Sequence, residues 1–282
     1  SHYVKFVPSL TSFGHFEKIL MLPEYTHLGE MPGFRGMPGG TTLCPDDPGS
    51  IALVEDMYDE FLPLFESEDF NACGDEPWEL GKGRSKEKAE QIGVGSVYLG
   101  FIKKLRKLSL KHGKRMNLWG DIVMQHPEII PDIPRDIVLL NWDYSPGGKR
   151  MSRNNEFSEA GLAHVCCPGT NAWQSHGSRL YHGLENIREF AVIARDQGAE
   201  GFQNTDWGDA GHRNTLGSSL CALAYGGAQG WKPDSVAPEA HVRNFIRFTF
   251  DEQDDTPLRN ILETIGDNDF GAWAYHAIFE KI

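Results

Sequence analysis

Short apolar runs along the chain alternate with longer stretches in which apolar side chains recur every three or four positions. Residues 4–10 read as a strand that ends in a polar, glycine-containing loop, and a short strand is expected near 41–44. Residues 51–65 have helical periodicity, with Leu53, Val54, Met57, Tyr58, Phe61, Leu62 and Phe65 on one side. A short strand at 70–73 is followed by a long helix over 85–111, closed by the stop signal His112-Gly113. The pattern then repeats. Strands are expected at 115–119, 136–142, 163–167 and 201–205, with a short helix before Pro134 and helices over 184–197 and 215–225. From Pro238 onward the chain reads as mostly helical and outside the repeating unit.

Strands alternating with helices imply a parallel sheet, either a closed barrel or an open doubly wound sheet. An open sheet usually carries a glycine-rich phosphate loop after its first strand, and neither GxGxxG nor GxxxxGK[ST] occurs here. Nearly every expected strand instead ends in polar or aromatic residues: His15, Asp75-Glu76, Trp119-Gly-Asp121, Trp142-Asp-Tyr144, Trp173 and Trp207-Gly-Asp209. Unusual residues at the ends of many strands are how a (β/α) barrel builds its active site. The 282 residues suit one such barrel over 1–235, with a helical extension over 236–282, and the 40% apolar content suits a real core.

The formal net charge of −13 argues against nucleic acid as a partner, since phosphate binding needs clustered Lys and Arg. The one basic run, Lys103-Lys-Leu-Arg-Lys107, reads as a solvated helix face. No apolar run reaches the length of a membrane span. The five cysteines are irregularly spaced without a CxxC, which reads as buried free thiols rather than a disulfide or zinc framework. No signal-peptide pattern is visible, which together with free thiols favours a cytoplasmic location without fixing one. No histidine sits in a metal-ligand spacing such as HExxH, so no metal and no cofactor is expected.

Chemistry concentrates in the stretch Asn71-Ala-Cys-Gly-Asp-Glu-Pro-Trp78. Two carboxylates at a strand's end, in different environments, can divide into an ionised group and a proton donor. The bland alternative is a helix start, since acids favour a first turn and Pro77 fits a first helical position. The tryptophans favour the chemical reading. Trp119, Trp142, Trp173 and Trp207 fall at expected strand ends, three of them within two residues of an Asp. Aromatic rings stack on the C–H faces of sugars while carboxylates bind the hydroxyls. Trp78, Trp231 and Trp273 read as packing residues.

The segments Val7-Pro-Ser-Leu-Thr-Ser-Phe-Gly-His-Phe-Glu17, Gly74-Asp-Glu76, Leu118-Trp-Gly-Asp121, Asn141-Trp-Asp-Tyr144 and Thr205-Asp-Trp-Gly-Asp-Ala-Gly-His212 resemble, in that order, glycoside hydrolase family 20, the β-N-acetylhexosaminidases. The resemblance implies a TIM-type (β/α)8 barrel and an enzyme that removes terminal β-linked N-acetylglucosamine or N-acetylgalactosamine from a small or oligosaccharide substrate. It implies substrate-assisted catalysis, in which the substrate's own acetamido group is the nucleophile. Glu76 would then be the acid and base, and Asp75 would orient the acetamido group. The tryptophans Trp119, Trp142 and Trp207 would wall the acetamido pocket, with Trp173 and Asp121 also on the substrate side. Tyr144 would bond the acetamido carbonyl, Asp209 would bind sugar hydroxyls, and His15 would steady the carboxylates, with His212 close behind Asp209.

The chain departs from the family pattern in three places. Cys73 stands where many members have Gly, and Thr11 where many have Asp. Only two strand candidates precede Asp75-Glu76, so the first barrel strand, with the Arg it carries in the family, is expected to be missing from this chain. Two other functions fit the same residues. One is a barrel glycosidase on sugars lacking the acetamido group, with Asp121 or Asp209 as second catalytic acid. The other is a carbohydrate-binding barrel without catalysis.

Overall fold

The structure is a computed structural model that describes residues 4–175, 177–209, 215–252 and 257–266. The chain divides into two compact units, one of residues 1–140 with 159–163, the other of 141–158 with 164–282.

In chain order the first unit contains α1 (Glu17–Leu20), α2 (Pro48–Phe61), β1 (Asp69–Asn71), α3 (Lys86–Ile92), α4 (Val94–Lys111), β2 (Arg115–Trp119), α5 (Asp121–Gln125) and the start of β3 (Val138–Trp142). The strands are parallel, with Asp69 opposite Arg115 and Asn117 opposite Val138. Asp47 starts α2 by accepting the Gly49 N–H at 2.8 Å, and Pro48 takes a first-turn position where its missing N–H costs nothing. The helix then turns Val54 and Tyr58 inward. Val97, Tyr98, Phe101, Ile102 and Leu105 of α4 are buried at helical spacing, which explains the strong periodicity of that segment. Phe13 packs between Phe101 and Tyr98, at centroid distances of 4.5 and 5.9 Å, and Tyr58 meets Phe70 of β1 edge-on at 4.9 Å.

Three expected elements differ here. The strand over 4–10 makes a single parallel bridge, Ser9 to Asn71, because Pro8 has no N–H with which to extend a ladder. The strand near 41–44 is one antiparallel bridge, Gly29 to Leu43. The helix over 85–111 is two helices, parted at Gly93, whose φ of 85° and ψ of 146° lie outside any helical geometry.

The second unit contains the end of β3, α6 (Lys149–Ser152), α7 (Asn155–Glu159, whose last residue falls in the first unit), β4 (His164–Cys167), α8 (Leu180–Asp196), β5 (Gly201–Phe202), α9 (Leu220–Trp231), α10 (Pro238–Phe250) and α11 (Pro257–Thr264). β4 and β5 are parallel, with Val165 opposite Gly201. The ladder resumes as one bridge between Gly169 and Thr205, so the expected strand over 201–205 is interrupted rather than continuous. Leu180, Leu184, Ile187, Cys221, Tyr225, Val242 and Ile246 form one buried cluster joining α8, α9 and α10, and Leu258 and Leu262 of α11 pack on it. Among the described residues, the helical character expected after Pro238 is found in α10 and α11, and Trp273 lies outside those residues. Trp78 and Trp231 are not packing residues: they are 41% and 91% exposed. Cys44, Cys166, Cys167 and Cys221 are buried free thiols, and Cys73 is half-buried. Among the described residues, no helix is long and apolar enough to cross a membrane.

Candidate active site

The Asp75-Glu76 pair belongs to the first unit. Beyond β1 the chain still runs beside β2, with the Ala72 N–H donating to Asn117 O and the Trp119 N–H donating to Cys73 O, both at 3.0 Å. It then turns sharply. Cys73, Gly74 and Glu76 have φ of 60°, 76° and 48°, and His15, which faces them, has φ of 57°. Left-handed backbone at three non-glycine residues is sparsely populated, and clusters of such strain occur at functional sites. The surroundings fix the turn. The buried Tyr98 hydroxyl donates to Gly74 O at 3.0 Å, and the Glu76 N–H donates to Asp121 Oδ2 at 3.2 Å. Gly14 lies so close beneath that a β-carbon there would sit 2.2 Å from the Asp75 carbonyl oxygen.

The side chains converge on His15. Its Nε2 is 3.3 Å from Asp75 Oδ2 and 3.4 Å from Glu76 Oε2. Hydrogen bonds to Asp75 and then to Glu76 push the imidazole up to about 10, against the opposing effect of burial, so it is a cation at neutral pH. Cys73 is held by Ser9, whose Oγ is 3.2 Å from the sulfur, and burial pushes its thiol up to about 11, leaving it a neutral neighbour of the pair. Trp119 is buried at the end of β2, and Asp121 is only 2% exposed, its Oδ2 engaged by the Glu76 N–H.

The remaining expected residues cluster within the second unit. Trp142 and Tyr144 stack with centroids 5.0 Å apart and planes 24° apart, and Trp173 meets Tyr144 edge-on at 5.0 Å. Trp207 Nε1 donates to the Tyr144 hydroxyl at 2.8 Å. An indole N–H is a donor only, so the Tyr144 oxygen is the acceptor in that bond. Asp209 is exposed and accepts from Gln174 Nε2 at 2.8 Å. Gly169 lets the rings approach, since a β-carbon there would lie 2.5 Å from Trp173. His212 lies outside the described residues.

Two residues of this cluster escaped the sequence reading. Asp143 is buried, and it accepts the Ser145, Arg150 and Met151 N–H groups, folding the loop after β3 back on itself. Arg150 lays its guanidinium 3.5 Å from the centre of the Trp142 ring. The signal available was Gly147-Gly148 between Trp142 and Arg150, a turn that returns the chain to the aromatic residue eight positions back. Among the described residues, no group of three or more His, Cys, Asp or Glu is arranged to hold a metal.

No family model matches the chain. It is 28% identical over 152 residues to hexosaminidase D of Homo sapiens, an alignment covering 49% of this chain and 29% of that protein. Among solved structures, the Streptomyces plicatus N-acetyl-β-hexosaminidase, in complex with Thio-NAglucal, matches 93% of this chain and 52% of its own with a TM-score of 0.61 at 16% identity. The β-N-acetylhexosaminidase of Bacteroides fragilis matches 88% of this chain and 53% of its own, with a TM-score of 0.61 at 17% identity. The chain thus spans about a third of the curated relative and about half of these structures. These likenesses agree with the ordered motifs, and in sequence and in α/β fold alike the chain resembles the family 20 glycoside hydrolases.

Proposed function

We propose that the protein is a glycoside hydrolase that removes terminal β-linked N-acetylhexosamine with retention, by substrate-assisted catalysis. The observation that carries this reading is the Asp75–His15–Glu76 cluster beyond the end of a parallel strand, in a chain similar to β-N-acetylhexosaminidases. Because one histidine nitrogen contacts both carboxylates, the two lie side by side. That suits an acid and an acetamide-orienting group on neighbouring parts of one substrate better than a nucleophile and an acid on opposite faces of a ring. Asp121, the other candidate for a second acid in the first unit, is buried and committed to the Glu76 backbone.

In this mechanism Asp75 accepts the acetamido N–H and aligns the carbonyl oxygen with the anomeric carbon. That oxygen forms the new C–O bond as the glycosidic bond breaks, while Glu76 delivers its proton to the departing oxygen. Glu76 then takes a proton from water as it adds to the anomeric carbon and opens the oxazolinium ring. The His15 cation shares its N–H with both carboxyl groups and offsets their mutual repulsion once Glu76 has given up its proton. The Tyr144 hydroxyl and the rings of Trp142, Trp173 and Trp207 suit a polar, C–H-rich sugar ligand. Asp209, at the surface, supplies an acceptor for hydroxyls.

Replacing Glu76 by Gln keeps the shape and removes the proton. Release of nitrophenol from nitrophenyl N-acetylglucosaminide is expected to fall by roughly 10²–10⁴-fold, the usual share of general acid–base catalysis. Unchanged turnover in that variant removes the assignment.

A further inference from the structure

We propose that Glu79 is a positioning residue for the carboxylate pair: it clamps the stretch of chain beside His15 and so sets where His15 meets Asp75 and Glu76. The inference rests on the glycosidase reading above. Glu79 is fully buried. A carboxylate removed from water is costly unless donors meet its oxygens. Here they do. Oε1 accepts the Thr41 N–H at 2.5 Å, and Oε2 accepts the Thr41 and Thr42 hydroxyls at 2.8 and 2.5 Å. Gly40 permits the approach, since a β-carbon there would lie 2.6 Å from Oε1. An apolar side chain of that size would fill the space without directing Thr41 and Thr42.

Both ends of this clamp lead to the pair. At one end, Glu79 follows Glu76 by three residues through tight turns. The Trp78 N–H donates to Glu76 O at 2.8 Å, and the Leu80 N–H donates to Pro77 O at 3.0 Å. At the other end, the residues that Glu79 holds run beside the His15 segment. The Phe16 N–H donates to Thr41 O at 2.8 Å and the Leu43 N–H donates to Phe13 O at 3.1 Å, one bond on each side of His15. The left-handed φ of 57° at His15 persists only where the surroundings over-determine it, and these two bonds help to do so. His15 then reaches Asp75 Oδ2 and Glu76 Oε2 at 3.3 and 3.4 Å. The path from Glu76 through Glu79, Thr41, Phe16 and His15 back to Glu76 is a closed ring within the first unit. Among the described residues, Glu79 bonds none of the three side chains it aligns, so it acts through the Thr41–Leu43 stretch.

The test reads His15 directly, by the pH titration of its ring signals in NMR spectra, assigned by their absence from His15→Asn. The groups that hold its proton are Asp75 and Glu76, and the substitutions that follow alter neither. The wild-type midpoint lies at about 10. In Glu79→Ala it should fall to about 9 or lower, roughly a tenfold or greater loss of proton affinity, as the contacts lengthen. Glu79→Gln should restore most of it. The amide oxygen accepts the Thr41 N–H, and the amide N–H groups donate to the threonine hydroxyls, which accept as well as donate. Thr42→Val keeps the shape, removes one of the three bonds and should move the midpoint in the same direction; it decides the question if Glu79→Ala does not fold. Leu105→Ala, a truncation at a fully buried position of α4, loosens the unit without touching the clamp and should leave the midpoint in place. A midpoint unchanged in folded Glu79→Ala, or shifted equally in Leu105→Ala, overturns the proposal. On nitrophenyl N-acetylglucosaminide, kcat/KM should follow the midpoint, falling about tenfold in Glu79→Ala and staying within about threefold of wild type in Glu79→Gln. If the wild type cleaves no such substrate, the glycosidase reading fails, while the titration still decides the role of Glu79.

Discussion

Gly14 packs directly beneath the proposed catalytic carboxylates, and the consequence of adding one methyl group there follows from the geometry. A β-carbon at Gly14 would lie 2.2 Å from the Asp75 carbonyl oxygen and 3.1 and 3.2 Å from the Glu76 carbonyl group. Such contacts essentially never fall below 3.0 Å, so the backbone of Asp75 must retreat by about 0.8 Å. The obstacle is main chain, already held by Tyr98 from one side and Asp121 from the other, so no rotamer change relieves it. A misplacement approaching 1 Å at a reacting group costs roughly 10²-fold in rate. Gly14→Ala should therefore lower kcat/KM on nitrophenyl N-acetylglucosaminide by about that factor, with a stability loss of about 1–3 kcal/mol from overpacking. Gly100, on the open face of α4 with nothing within 4 Å of its β-carbon position, is the matched control. Gly100→Ala should leave activity intact and stabilise the helix by roughly 0.5–1 kcal/mol. Equal kinetics in the two variants would refute the claim that the Gly14 contact sets the carboxylate position.

Replacing His15 by Asn should make stability depend on pH in a defined window. His15 is held up to about 10, above its ordinary 6.5, so its contribution is complete below pH 6.5 and disappears as pH rises through about 10. The melting-temperature gap between wild type and His15→Asn should be widest near pH 6 and close by pH 10, and a gap that widens with pH contradicts the charge state assigned to His15. Asp121→Ala removes the acceptor of the Glu76 N–H, which should lower kcat about tenfold or more and cost about 1–3 kcal/mol by urea titration. A kcat within twofold of wild type rules out Asp121 as a positioning residue.

The parts of this fold that follow local periodicity were readable from the sequence. The span 115–119 of β2 is legible to the residue, because it is bounded by a Gly stop and a Trp-Gly turn. The faces of α2 and α4 were visible in their apolar spacing. Less visible was what depends on a single backbone torsion or on distant neighbours. Gly93 splits a segment whose periodicity runs on either side of it, and Pro8 reduces an apolar run to one bridge. For the candidate site, the sequence marks Asp75, Glu76 and the aromatic residues as unusual, while the pairing of His15 with the two carboxylates comes only from the family resemblance and from no local pattern. Nothing local places His15, sixty residues earlier, against both of them. Likewise Asp121 read as a substrate ligand at a strand end, whereas its neighbour across the turn is the Glu76 backbone. Arg150 was hidden for the opposite reason: its basic surroundings look like an ordinary solvated helix turn until the loop after β3 folds it over Trp142.

The central claim is that Asp75 orients the substrate's acetamido group while Glu76 moves the proton. A bicyclic N-acetylglucosamine analogue, with the acetamido group already closed onto the anomeric carbon through sulfur, resembles the proposed intermediate and tests that claim by calorimetry alone. It should bind the wild type at least about 10²-fold more tightly than N-acetylglucosamine, and most of that advantage should vanish in Asp75→Asn. An analogue that binds no better than the free sugar, or one whose advantage survives loss of the Asp75 carboxylate, would contradict substrate assistance through Asp75.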